Sequence, residues 1–184
     1  DGQTIDLRTD QAGIVMQADG ITYRDGDTKV ALPDGRKAVQ ASQPLVLRTP
    51  KGGTYAITLP DGTDVWLNAS SSLKYPSRFD GNSREVELVG EAYFAVAKDP
   101  ARPFRVISTS QTVEVLGTEF NISAYPDETE TKTTLVEGKV RWSLASDGQA
   151  ATAREGLLLT PSEQAVVRGG TASKSEVDVS RYIG

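Results

Sequence analysis

The sequence predicts an all-β fold with little or no helix, arranged as an antiparallel sandwich or as a short solenoid-like stack of short strands. Val, Ile and Thr, the β-branched residues that favour extended backbone, make up 42 of the 184 residues. The 17 glycines and 9 prolines interrupt the chain so often that most uninterrupted windows have the length of a strand. No segment combines a sustained helical period of apolar residues with helix caps.

Several segments alternate apolar and polar residues, which places the apolar side chains on one face of a strand. In chain order these segments are 84–88, 112–116, 119–123 and 139–144. Segment 91–98 also suits a helix, but its own alternation and its neighbours favour a strand. The inward-facing side chains predict a core of Val86, Leu88, Phe94, Val96, Val106, Val115, Phe120, Ile122, Val140 and Trp142.

The remaining elements follow from turn chemistry. The tetrapeptide LPDG occurs at 32–35 and 59–62, where proline sets φ at the turn entry and glycine takes a positive φ. Residues 70–73 suit a single helical turn, and residues 157–167 predict one further strand. We expect an N-terminal β segment packed on the core at 1–48, a β domain at 49–167 and a polar linker at 168–184.

Composition argues against an enzyme. The chain has no His and no Cys, which removes the commonest general base, thiol nucleophiles and the usual ligands of zinc. The net charge of −5 and the pI near 4.9 do not suit a protein that binds nucleic acid. No apolar run approaches the roughly 20 residues of a membrane-spanning helix. We therefore predict no catalytic residue, no cofactor and no bound metal.

Three classes of function remain in competition. The first is a non-enzymatic module that binds another protein. The second is a carbohydrate-binding β-sandwich, in which Trp66 or Tyr55 would form a stacking platform, although core or half-core packing is the favoured interpretation of Trp66 and Trp142. The third is a hydrolase based on carboxylates. For that class the candidates are Glu85, Glu87 and Glu91, which we interpret instead as a solvated sheet face.

A series of motifs between residues 49 and 145 resembles the periplasmic domain of FecR-type anti-sigma factors. The motifs are TPKGGTY (49–55), LPDGTDVWLNA (59–69), SLKYP (72–76), REVELVGEAYFAV (84–96), RPFRV (102–106), VLGTEFNI (115–122) and LVEGKV (135–140). In the last strand, Ser162 departs from the family's usual Pro-Gly-Glu-Gln. We interpret the family positions as architectural, and they are Leu59, Pro60, Asp61, Gly62, Trp66, Leu67, Asn68, Gly90, Glu91, Phe94, Val96, Pro103, Phe104, Leu116, Gly117, Thr118, Phe120, Glu137 and Gly138.

The resemblance implies the periplasmic part of an inner-membrane protein. A cytoplasmic segment absent from this chain would bind an extracytoplasmic-function sigma factor, and an absent transmembrane helix would provide the membrane attachment. The linker at 168–184 would lead to a missing C-terminal domain. The expected partner outside the membrane is the N-terminal signalling domain of a TonB-dependent outer-membrane transporter. We expect contact through an edge strand, either within residues 1–48 or within 157–167.

Overall fold

The computed structural model describes residues 13–17, 20–25, 29–30, 42–144 and 156–181. Its strands are β1 (Gly13–Gln17), β2 (Gly20–Tyr23), β3 (Pro44–Arg48), β4 (Tyr55–Thr58), β5 (Asp64–Leu67), β6 (Ser72–Pro76), β7 (Arg84–Ala95), β8 (Phe104–Ile107), β9 (Gln111–Val115), β10 (Glu119–Ala124), β11 (Glu130–Glu137), β12 (Val140–Leu144), β13 (Leu157–Leu159), β14 (Glu163–Arg168) and β15 (Thr171–Glu176). A short 3₁₀ turn, Val179–Arg181, is the helical element in these ranges. The all-β prediction is confirmed. The helical turn considered for 70–73 is wrong, because β6 begins at Ser72.

The strands form two sheets that share β7. Sheet A has the order β2-β1-β4-β5-β7-β10-β11-β14-β15, and sheet B has the order β3-β6-β7-β8-β9-β12-β13. Residues 84–89 of β7 pair in sheet B, whereas residues 90–95 pair in sheet A. The pairs β1–β4 and β7–β8 are parallel, so the predicted antiparallel arrangement is in fact mixed.

Gly90 lies where β7 passes from one sheet to the other. Its φ is +93°, a backbone conformation that residues with a Cβ rarely adopt. A Cβ at this position would lie 2.8 Å from the Cα of Ser71. The Ser71 hydroxyl instead accepts a hydrogen bond from the Glu91 N–H at 2.9 Å. The two alternating segments on either side of Gly90 therefore form one strand of 12 residues.

The inner faces of the two sheets enclose one hydrophobic core. Phe94 stacks on Phe120 within sheet A, with 5.1 Å between the ring centroids. The ring centroid of Phe104, in sheet B, lies 6.2 Å from that of Phe94. Gln111 of sheet B donates to Thr133 of sheet A, which links the sheets through a buried polar pair. The ten predicted core residues are all buried, so that prediction is confirmed.

Two predictions near the C-terminal end of the described chain are wrong. Residues 157–167 form two strands, β13 in sheet B and β14 in sheet A, because Pro161 and Ser162 turn the chain between them. Thr171–Glu176, within the predicted linker at 168–184, is β15 and pairs with β14 along its whole length. Most side chains of β15 are exposed and polar. The segment therefore lacks the apolar alternation from which a strand could be predicted. The first LPDG turn, at 32–35, lies outside the described residues.

Candidate functional site

The described ranges provide no group of three or more Asp, Glu, His or Cys residues that could hold a metal ion. No helix in the same part of the chain is long and apolar enough to cross a membrane. Several of the family positions take part in polar contacts between strands and turns of the fold.

The three carboxylates considered for catalysis do not converge. Glu85 and Glu87 lie exposed on sheet B and line a cavity of about 270 Å³. Lys74 Nζ lies 2.8 Å from Glu87 and neutralises it. Glu91 belongs to the half of β7 that pairs in sheet A. The three carboxylates therefore do not all face one cavity.

The second LPDG turn holds a buried ion pair. Asp61 Oδ2 accepts a hydrogen bond from Arg84 Nη1 at 2.7 Å, and the two side chains are 4% and 1% exposed. Asp61 also accepts bonds from the backbone N–H and the hydroxyl of Thr63. This carboxylate is therefore fully engaged in the turn and in the anchoring of β7.

Sequence reasoning did not identify the role of Arg84. Its guanidinium also donates to the backbone oxygens of Ala97 and Arg102, at 2.7 and 2.9 Å. The guanidinium carbon lies 5.4 Å from the ring centre of Phe104. The sequence did indicate that Arg84 faces inward, because it lies two residues before Val86 on the same strand and so points to the same face. The identity of its partner could not be read from that pattern.

Glu91 is the centre of a carboxylate–amide cluster on sheet A. Asn68 Nδ2 donates to its Oε2 at 3.0 Å, and Asn121 Nδ2 donates to its Oε1 at 2.9 Å. The cluster joins the end of β5 to β7 and β10. Both carboxylate oxygens have amide donors, which indicates a structural role for Glu91. Asn121 was not among the predicted positions.

The Gly-Thr and Glu-Gly motifs meet at one end of the sandwich. Thr118 Oγ1 donates to the backbone oxygen of Lys139 at 3.1 Å. Gly138 has a φ of +97°, and a Cβ there would lie 2.9 Å from the Thr118 hydroxyl. This close approach requires glycine and holds the turn after β9 against the turn after β11.

The other family positions divide between interior and surface. The buried positions are Leu59, Leu67, Phe94, Val96, Phe104 and Phe120. Pro60, Pro103 and Gly117 are half-buried, and Gly62 is an exposed glycine of the LPDG turn. The exposed side chains are those of Trp66, Leu116 and Glu137. Exposed positions do not contribute to the core, so these three are candidates for contact with a partner.

Trp66 lies on the outer face of sheet A with 41% of its surface exposed, whereas Trp142 is buried. The guanidinium of Arg24 lies 5.5 Å from the Trp66 ring centre and pairs with Asp64 at 2.5 Å. Tyr93 contacts the ring edge-on at 5.7 Å between centroids. Trp142 is therefore a core residue, whereas Trp66 fits the half-core alternative, because its place on β5 is opposite to buried Val65 and Leu67 and its ring is covered in part.

Tyr93 continues this surface towards β10. Its hydroxyl donates to Glu119 Oε2 at 2.7 Å. Burial, followed by the hydrogen bond to Glu119, raises the pKa of Tyr93. Tyr55 does not join Trp66, because it pairs with inward-facing Leu67 and packs against the core. The two aromatic residues considered for a carbohydrate platform thus lie on opposite faces of the sheet.

The free edges of the sheets were the other predicted contact sites. β2, β3 and β13 are terminal strands, but β14 is not, because β15 covers it. The bond from Val177 N–H to the Ser162 oxygen fixes which residues of β15 face β14. Ala172, Lys174 and Glu176 consequently direct their backbone N–H and C=O groups away from the sheet. Among described strands, none pairs with this edge.

The side chain of Lys174 crosses the open end of the sandwich. It lies 2.8 Å from Glu163 Oε1, and its Nζ also contacts the Leu158 oxygen of sheet B at 3.4 Å. The hydrogen bond from Lys174, together with one from the Thr160 N–H, lowers the pKa of Glu163 to about 2. Lys174 thus links β15 and β14 of sheet A to β13 of sheet B. It does so without covering the backbone edge of β15.

Comparisons with known proteins agree with these motifs. The model of the family described as FecR protein matches residues 46–141. Two crystal structures, each of a proposed anti-sigma factor from Parabacteroides distasonis ATCC 8503, are 32% identical to the chain, with TM-scores of 0.70 and 0.69. They cover 76% and 75% of this chain, which spans 63% and 62% of theirs, less than two thirds. No curated protein matches the sequence.

Proposed function

Because this chain belongs to the FecR protein family, we propose that it is the sensor domain of an anti-sigma factor. In this role it is the periplasmic part of an inner-membrane protein. It relays a signal from a TonB-dependent outer-membrane transporter to an extracytoplasmic-function sigma factor. The observation that carries the proposal is the family match over residues 46–141. The structural similarity to proposed anti-sigma factors at 32% identity supports it.

The state of the family carboxylates supports a regulatory rather than catalytic role. Asp61 is held by Arg84 and Thr63, and Glu91 is held by two amide groups. A general acid or base must be able to reach a substrate proton. Both carboxylates instead stabilise the fold, as expected for a domain that acts through binding.

The edge of β15 is the proposed contact with the transporter's N-terminal signalling domain. The outward N–H and C=O groups of Ala172, Lys174 and Glu176 can pair with an added strand. Three residues in this orientation offer three donors and three acceptors. The side chains on the outer face, at Thr171, Ser173 and Ser175, are small and leave the approach open.

A binding experiment with two substitutions of one residue tests this contact. We expect Glu176→Pro to weaken capture of the transporter's signalling domain, because proline removes an outward N–H without disturbing a bond to β14. Glu176→Ala is the matched control, since it removes the same side chain and retains the N–H. Equal capture of both variants would show that the edge is not the contact.

The same capture is repeated with the protein extended by its downstream region. Binding that occurs only with the longer protein would contradict the edge-strand contact and leave the anti-sigma assignment intact. Failure of both forms to bind any transporter signalling domain would contradict the proposed partner.

A further inference from the structure

Two glutamates on the outer face of sheet A lie directly opposite each other without a neutralising cation. Glu119 of β10 and Glu137 of β11 are cross-strand partners. No Lys or Arg in the described part of the chain forms an ion pair with either of them. Like charges at directly opposite positions destabilise a sheet. Their arrangement is therefore unexplained by the stability of the fold.

The two glutamates continue the aromatic surface already described. Tyr93 joins Trp66 to Glu119, through a ring contact of 5.7 Å on one side and a hydrogen bond of 2.7 Å on the other. We call these four residues, Trp66, Tyr93, Glu119 and Glu137, the aromatic–acidic patch. It extends across β5, β7, β10 and β11, four adjacent strands of sheet A.

The composition of the patch indicates the chemistry of its occupant. Aromatic ring faces beside carboxylates attract a guanidinium, which can stack on the ring and pair with the acid. Arg24 demonstrates the stacking on Trp66, at 5.5 Å from the ring centre. Its charge is already matched by Asp64 at 2.5 Å, so it does not neutralise Glu119 or Glu137. Trp and Tyr are also the residue types that dominate binding energy in protein interfaces.

We propose that the aromatic–acidic patch receives an arginine side chain of the partner protein. The inference rests on the proposed function, since it takes the partner to be the transporter's signalling domain. The contact differs from the β15 edge, which binds backbone. The patch recognises one charged side chain, and it adds charge selectivity to a backbone contact that is largely independent of sequence.

The first experiment uses a peptide and does not depend on the transporter. The ¹⁵N-labelled protein is titrated with a six-residue peptide of alternating arginine and serine, and separately with its glutamate–serine counterpart. The two Trp indole N–H resonances are followed, and Trp66→Phe assigns them. The Trp142 indole N–H is buried against Gln111 and serves as the internal reference. We expect the arginine peptide alone to shift the Trp66 resonance.

Charge-neutral variants locate the effect. We expect the double variant Glu119→Gln, Glu137→Gln to raise the dissociation constant of the arginine peptide about tenfold, the size expected when a charged contact is lost. Glu85→Gln with Glu128→Gln changes the net charge equally at exposed sites outside the patch and should leave the titration unchanged. A thermal midpoint no lower than that of the unmodified protein confirms that each variant is folded. Equal shifts with both peptides, or an unaffected Glu119/Glu137 variant, would overturn the inference.

The second experiment repeats the comparison with the transporter's signalling domain. Weaker binding by the Glu119/Glu137 variant than by the Glu85/Glu128 control would support the patch as the contact. Equal binding by both variants would overturn the inference while the proposed function stands. If the unmodified protein does not bind the signalling domain, the proposed partner is wrong, and the peptide experiment alone decides whether the patch binds arginine.

Discussion

Replacing Arg84 with Met should destabilise the domain far more than replacing a surface arginine of the same sheet. The substitution leaves the Asp61 carboxylate, which is 4% exposed, without its cation. It also removes the donor to the backbone oxygens of Ala97 and Arg102. Removing one member of a buried ion pair costs about 3–5 kcal/mol. Met retains an apolar side chain beside Phe104, so lost packing contributes little to the difference.

Arg105→Met is the matched control. Arg105 lies on neighbouring β8 and pairs with Glu114 at 2.7 Å, but the two side chains are 40% and 24% exposed. An exposed pair of this kind contributes about 0–1 kcal/mol. Urea denaturation at 25 °C, followed by circular dichroism, gives the free energy of unfolding of each variant. If the two variants differed by less than about 1 kcal/mol, the buried pair would not carry the stability assigned to it.

A double variant covers the case in which Arg84→Met does not fold. Replacing Asp61 with Leu at the same time removes the uncompensated buried charge. We expect the double variant to lose less stability than the sum of its single changes, because removing both members of a buried pair costs less than removing one. Additive losses would contradict direct coupling between Arg84 and Asp61.

Two further predictions concern the turn before β14 and the charge beside it. Ser162 has a φ of +69°, a left-handed conformation that glycine adopts at lower cost, so Ser162→Gly should raise the unfolding free energy by about 0.5–1 kcal/mol; a lower urea midpoint would refute this. Glu163 has a folded pKa near 2, below its ordinary 4.5, so its pair with Lys174 stabilises the fold above about pH 4.5 and loses that effect as the pH falls towards 2. The stability difference between the unmodified protein and Glu163→Gln should shrink across this range, and a constant difference would contradict the pairing.

The interior of the strands could be predicted because it depends on a local rule. Side chains alternate between the two faces of a strand with a period of two residues. Phe94, Phe120 and Trp142 are therefore assigned to the core by their immediate neighbours alone. The same rule assigns Arg84 to the interior. Its burial contradicts the usual preference of charged residues for the surface, and only its parity with Val86 indicated it.

The candidate site was less accessible to sequence reasoning. The family motif includes Glu91, Trp66 and Glu137, but it does not distinguish a carboxylate held by amides from one left without a cation. That distinction depends on cross-strand neighbours. Asn121 reaches Glu91 from β10, although the two residues are 30 positions apart in the chain. Glu119 likewise lies opposite Glu137 only because β10 pairs with β11 in this register.

The sequence by itself determined the all-β class, the inward face of each alternating strand and the position of the LPDG turn at 59–62. Each follows from preferences of residues close together in the chain. The tertiary structure alone decided that β7 belongs to both sheets, that Asp61 neutralises Arg84, and that the polar segment Thr171–Glu176 is an edge strand. An alternating pattern is equally compatible with many partner strands. The choice among them is made by the packing of distant residues, which no local pattern contains.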